Sequence, residues 1–211
     1  MKLKKKAKKR IIVVIVLLLL CLLGFLVYKH FSSEKQDVKE TKIVSKIDKY
    51  GYKLKDNKPA AYKKMFKELE KILNEKTVDE EAYVKQISKM YIYDFYSLDD
   101  KTAKTDIGGV DFVHPDALTN YLQNAQDTYY KYVENNIYKN RTQKLPIVDD
   151  SKIEVVSVEK TPFAYGEKTD EQAYKVTIKW DYTDTDFNTY QKNAVLVFVH
   201  DGIKLELVEL Q

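Results

Sequence analysis

The sequence predicts an α+β fold, with helices and an antiparallel sheet segregated along the chain behind one N-terminal membrane helix. Three observations predict it. Ile11 to Tyr28 carries no charge and no proline. From Pro59 to Val133 apolar residues recur at three- and four-residue spacing, and from Ile153 onward they alternate.

A helix from Ile11 to Tyr28 spans roughly 27 Å at 1.5 Å per residue, close to the ~30 Å hydrocarbon core. It follows a tail, residues 1–10, holding Lys2, Lys4, Lys5, Lys6, Lys8, Lys9 and Arg10. Such a flank stays in the cytoplasm and leaves everything after Tyr28 outside the cell membrane, a single-pass topology. The run ends in Lys29-His30-Phe31-Ser32-Ser33, a poor cleavage site, so the segment reads as a retained signal anchor. Cys21 has leucines before it and apolar residues after it, which suits a membrane-facing hydrophobe rather than a lipoprotein cysteine.

Removing the seven tail cations from the 36 basic residues leaves 29 against 32 acidic ones. The positive balance is therefore a topology signal, and the exported part is expected to bind no nucleic acid. That part has no cysteine, so packing alone must hold it, as suits a bacterial envelope without an oxidising system. Asn140-Arg141-Thr142 matches a glycosylation acceptor and is read as a chance match in that setting.

Residues 29–58 read as a charged spacer, with helical turns around Val44 and Ile47 and little to bury. The domain then occupies 59–211. Pro59 opens a helix whose Tyr62, Met65, Phe66, Leu69, Ile72 and Leu73 share one face. Thr77-Val78-Asp79-Glu80 reads as a capping box for a second helix, which carries Tyr83, Val84, Ile87, Met90 and Tyr91 inward and runs into Tyr91-Ile92-Tyr93-Asp94-Phe95-Tyr96. Asp99 to Val113 is a loop with Gly108-Gly109. His114-Pro115-Asp116 starts a third helix, with Leu118, Tyr121, Leu122, Ala125, Tyr129, Tyr132 and Val133 on one face and Asn135-Asn136 at its end.

About four strands follow. Ile153, Val155 and Val158 mark the first. Tyr174, Val176, Ile178, Trp180 and Tyr182 alternate with polar residues, giving a strand with one buried face. Ala194 to Val199 is apolar throughout and suits a central strand. Asp201-Gly202 is expected to form the two-residue turn leading to a final strand from Lys204 to Leu210.

Helices first and a curved sheet after, behind one anchor, resemble the cone-shaped nuclear transport factor 2-like (cystatin-like) fold. The chain also resembles single-pass subunits of type IV secretion and conjugation machines whose exported domain has that fold. Asp94-Phe95-Tyr96-Ser97-Leu98-Asp99 and Gly108-Gly109-Val110 are similar to stretches in a group of uncharacterised membrane proteins from low-GC bacteria. The resemblance implies a fold and an envelope setting, and no activity.

Nothing in the chain forms a catalytic set. His30, His114 and His200 lack metal-ligand spacing, no serine lies in a nucleophile elbow, and no glycine-rich phosphate loop is present. Asp184-Thr185-Asp186-Phe187-Asn188 opens like a calcium loop, but Thr189 replaces the glycine and Val195 stands where the bidentate glutamate belongs. In a cone fold Tyr91, Tyr93, Asp94 and Tyr129 could furnish an acid–base pocket; as core residues they would fill space with their rings. The sequence is therefore read as that of a non-enzymatic scaffold or assembly protein, without metal, cofactor or catalytic residue. Its expected partners are the membrane and another envelope protein, and self-association stays open. The alternative is a ligand-binding or isomerase-like pocket domain, and a third reading is a module that recognises cell-wall sugars through tyrosines.

Overall fold

The computed structural model describes residues 41–211. The basic tail, the Ile11–Tyr28 segment, Cys21 and His30 lie outside the described residues. Among the described residues no helix is long and apolar enough to cross a membrane.

The chain enters as a β-hairpin, β1 (Ile43–Ile47) and β2 (Tyr52–Lys55), before helices α1 (Ala60–Leu73) and α2 (Glu80–Tyr96). Helix α3 (Pro115–Asp127) follows a long loop. Then come β3 (Glu154–Lys160), a short hairpin of β4 (Phe163–Tyr165) and β5 (Lys168–Asp170), β6 (Tyr174–Lys179), β7 (Asn193–Asp201) and β8 (Lys204–Leu210). The main sheet is antiparallel in the order β3-β6-β7-β8. The α+β class and the four-stranded sheet agree with the sequence reading. Helix α2 packs on α1 and on β3 and β6, while α3 lies beside β8.

The faces follow the periodicity. Tyr62, Phe66, Leu69 and Leu73 of α1 are buried, as are Tyr83, Val84, Ile87 and Met90 of α2. From Met90 to Leu98 every residue is buried, so the end of α2 is enclosed on all sides. In β6, Tyr174, Val176 and Ile178 point inward, and Trp180 continues the series at 2 % exposure. Strands β6 and β7 occupy the centre of the sheet, which places the apolar Ala194–Val199 run as expected.

Five expectations need correction. The last part of the presumed spacer belongs to the domain: Ile47, Tyr50, Tyr52 and Leu54 are buried, and Gly51 turns the hairpin at φ +72°. Helix α2 is capped by Asp79, whose carboxylate accepts the N–H groups of Glu81 at 2.9 Å and Ala82 at 3.1 Å, not by Thr77. Helix α3 stops at Asp127 rather than near Asn135. There the Thr128 hydroxyl donates to the Asn124 carbonyl at 2.6 Å, and the Tyr130 N–H to the Ala125 carbonyl at 2.9 Å. The chain thus leaves the helical period, burying Tyr130 and leaving Tyr132 75 % exposed. The β7–β8 turn is centred one residue later than expected. Asp201 pairs with Lys204, and Gly202, at φ +59°, is the first of its two central residues. Finally, the β4–β5 hairpin, turning at Gly166, is an element the alternation did not reveal.

Candidate functional site: a groove beside the edge strand

A groove of 460 Å³ runs between α3 and the end of β8. Its helical wall is Ala117, Asn120, Tyr121, Asn124 and Ala125, positions that share one face of α3, with Thr128 just past the helix end. The opposite wall is Leu207 to Gln211 of the β8 segment, and Phe95, Tyr96 and Val113 also line it. Tyr129 and Gln191 complete the lining.

The aromatic part is closely packed. The Phe95 ring lies 4.9 Å from Tyr96, 5.6 Å from Tyr121 and 5.7 Å from Tyr129. Two of the three lining tyrosines commit their hydroxyls to internal bonds. Tyr121 donates to the Gly108 carbonyl at 2.6 Å, and Tyr129 to Gln191 Oε1 at 2.6 Å. The Gln191 amide in turn donates to the Asn193 carbonyl at 2.8 Å. Burial raises the pKa of Tyr121 and Tyr129, so neither releases a proton near neutral pH. Among the described residues no histidine, cysteine, lysine or arginine lines the groove, and the only carboxylate side chain there is Glu209.

Among the described residues, strand β8 presents an open edge here. Gln211 and Val195 exchange hydrogen bonds of 2.9 and 3.0 Å, so by antiparallel alternation the N–H and C=O of Leu210 point away from β7. Further up the same edge, the Leu207 carbonyl accepts the His114 N–H at 2.8 Å.

The four residues considered for an acid–base pocket are not brought together. Only Tyr129 lines the groove. Tyr91 is stacked on Phe95 with centroids 5.5 Å apart, fully buried, its hydroxyl without a hydrogen bond of ordinary geometry among the described residues. Tyr93 and Asp94 are not part of the lining. Asp94 Oδ1 receives Lys58 at 2.6 Å and Lys101 at 2.9 Å, and its Oδ2 accepts the Gly109 N–H at 2.9 Å. Burial alone would raise this carboxyl's pKa, but the two lysines and the N–H hold it far below the usual carboxylate range. The carboxylate stays charged and has structural partners.

The aspartates of the calcium-like loop are also engaged. Lys144 Nζ lies 2.5 Å from Asp184 and 2.6 Å from Asp186, and Asp184 accepts the Asp186 N–H at 2.9 Å. His200 Nδ1 meets Asp170 at 2.8 Å, at the side of Glu80 and Tyr174. His114 does what no spacing rule indicated: its ring, with Asp201 and Glu206, forms a cluster whose ligand atoms all lie within 4.8 Å of one another. Sheet closure brings these residues together, so sequence distance hides them.

Comparison with protein-family models, with curated proteins and with solved structures finds no match for this chain.

Proposed function

We propose that the protein is a membrane-anchored, extracytoplasmic scaffold that holds an extended, uncharged segment of another envelope protein in the α3–β8 groove. The observation that carries this is the groove itself: aromatic rings and the amides of Asn120, Asn124 and Gln191 beside the outward-facing N–H and C=O of Leu210 on an edge strand. An added strand would take main-chain hydrogen bonds from β8 and set its side chains among the rings. The anchor, cytoplasmic tail and external domain are read from the sequence pattern. The nuclear transport factor 2-like reading rests on element order, and the link to secretion or conjugation machinery rests on that resemblance alone.

A second reading has its own support. The groove's 460 Å³ falls within the about 300–1,000 Å³ of small-molecule sites, so a neutral ligand, sugars included, would also fit. An isomerase would need an acid–base pair there, and Asp94 is not in the lining.

The test is a photo-reactive residue placed at Asn124 in the full chain in its own membrane, with Glu159 on β3 as a distant control. A protein adduct at Asn124, absent at Glu159 and mapped to an extended uncharged segment, is expected. Equal labelling at both positions removes the scaffold proposal. A bound small molecule in native mass spectra, without a protein adduct, installs the ligand reading.

A further inference from the structure

Outside the groove, the described residues hold a buried arrangement that the proposed function does not use. His114 and Glu206 are each 4 % exposed, while Asp201 at the end of β7 is open to solvent. Lys204 Nζ sits 2.5 Å from Glu206 Oε1. Glu206 Oε2 is buried and has no hydrogen-bond partner among the described residues. A buried carboxylate oxygen with nothing to accept from is costly, and such an atom calls for a cation or donor that is not a protein side chain. The ring of His114 is held edge-on by Tyr165 at 5.3 Å. One imidazole nitrogen and two carboxylates thus converge within 4.8 Å, with an approach from solvent past Asp201.

We propose that His114, Asp201 and Glu206 bind one divalent transition-metal ion of the zinc type. Imidazole with carboxylates suits zinc, whereas calcium and magnesium prefer oxygen ligands alone. Three protein ligands leave a fourth position for water, and Lys204 keeps its place on the other oxygen of Glu206. The ion would join the first residue before α3 to the β7–β8 hairpin, on the strand that also walls the groove.

The proton on the imidazole decides the local readout. His114 Nδ1 accepts the Asp116 N–H at 3.1 Å, so the neutral ring carries its proton on Nε2. A metal ion at Nδ1 displaces that N–H directly. A metal ion at Nε2 requires the ring proton to move to Nδ1, which ends the same hydrogen bond. Either way the Asp116 amide loses its acceptor when the ion binds.

The experiment titrates the full chain in detergent with zinc chloride against a chromogenic chelator, and follows the Asp116 amide by NMR. One equivalent of zinc that shifts the Asp116 amide is expected, with a millimolar excess of calcium failing to displace it. Asp201→Asn, at an exposed turn, should weaken binding at least about tenfold, since residues that merely hydrogen-bond a metal ligand already cost about 10–100-fold. His114→Asn, which keeps a good helix cap, should weaken it likewise. The proposal is overturned by an absence of stoichiometric binding, or by zinc affinity that Asp201→Asn leaves unchanged. A fixed Asp116 amide at saturation also overturns it.

Discussion

Lys101 Nζ lies 2.9 Å from Asp94 Oδ1, and the two residues are 3 % and 6 % exposed. This pair ties the end of α2 to the loop that follows it, and Lys58, just before α1, closes on the same oxygen at 2.6 Å. Breaking a buried pair by removing one charge leaves the other stranded. Asp94→Asn is therefore expected to cost about 3–5 kcal/mol in urea unfolding at pH 7. A loss under about 1 kcal/mol would mean that water reaches the lysines.

The same pair sets a pH window. Asp94 has a folded pKa below its unfolded value of about 3.9, so its contribution is present above that pH and lost as acid protonates the folded carboxylate. Lys101 is shifted up: burial opposes its charge, but Asp94 and Asp100 outweigh it. Its contribution is complete below about pH 10 and is lost as pH rises through the folded pKa. Unfolding free energy should fall on acidification below about pH 4, with a smaller acid slope in Asp94→Asn. Equal slopes would assign the acid loss to other carboxylates.

Gly108 and Gly202 should respond to alanine for different reasons. A Cβ on Gly108 would lie 1.9 Å from the Asp94 carbonyl oxygen, a backbone atom that cannot step aside. Gly202 has open space around it and only its φ of +59° to defend. Gly108→Ala is expected to cost about 3 kcal/mol or more and Gly202→Ala about 1–2 kcal/mol. Thermal unfolding of the two variants side by side checks the order.

Two buried tyrosines give a hydroxyl test. Tyr130 donates to the Phe95 carbonyl at 2.7 Å and accepts the Gly108 N–H at 3.0 Å, whereas the Tyr96 hydroxyl has no hydrogen bond of ordinary geometry among the described residues. Tyr130→Phe strands two backbone groups and should cost about 2 kcal/mol or more. Tyr96→Phe should be neutral or stabilising. Denaturant midpoints in the reverse order would contradict the bonding described for both rings.

The orientation proposal predicts that protease added to wall-free cells removes the domain and spares an epitope on the Lys-rich tail. Protection of both ends contradicts the orientation, and a mature chain starting near Ser32 contradicts the anchor.

How much could be read beforehand depended on which forces act locally. The faces of α1, α2 and β6 follow from period alone, because burial of Phe66, Ile87 or Val176 is repeated by neighbours one turn or two residues away. Tyr52-Lys53-Leu54-Lys55 carried the same signal behind Gly51, but the surrounding lysines made the segment look like a spacer. The end of α3 was illegible because hydrogen bonds donated by Thr128 and Tyr130 override a hydrophobic period that continues past them. The groove and the His114 cluster depend on how β8 docks against the start of α3, and no window of sequence contains both.

The bond between His114 N–H and the Leu207 carbonyl also has a temporal consequence. During synthesis, α3 emerges long before β8, so the start of that helix waits for its partner until the sheet is nearly closed. Until then the edge of β7 is unpaired, exposing the backbone of a Val-rich strand to self-association. Contacts this distant in sequence make closure slow, and the domain's most vulnerable interval is the delivery of its final strand.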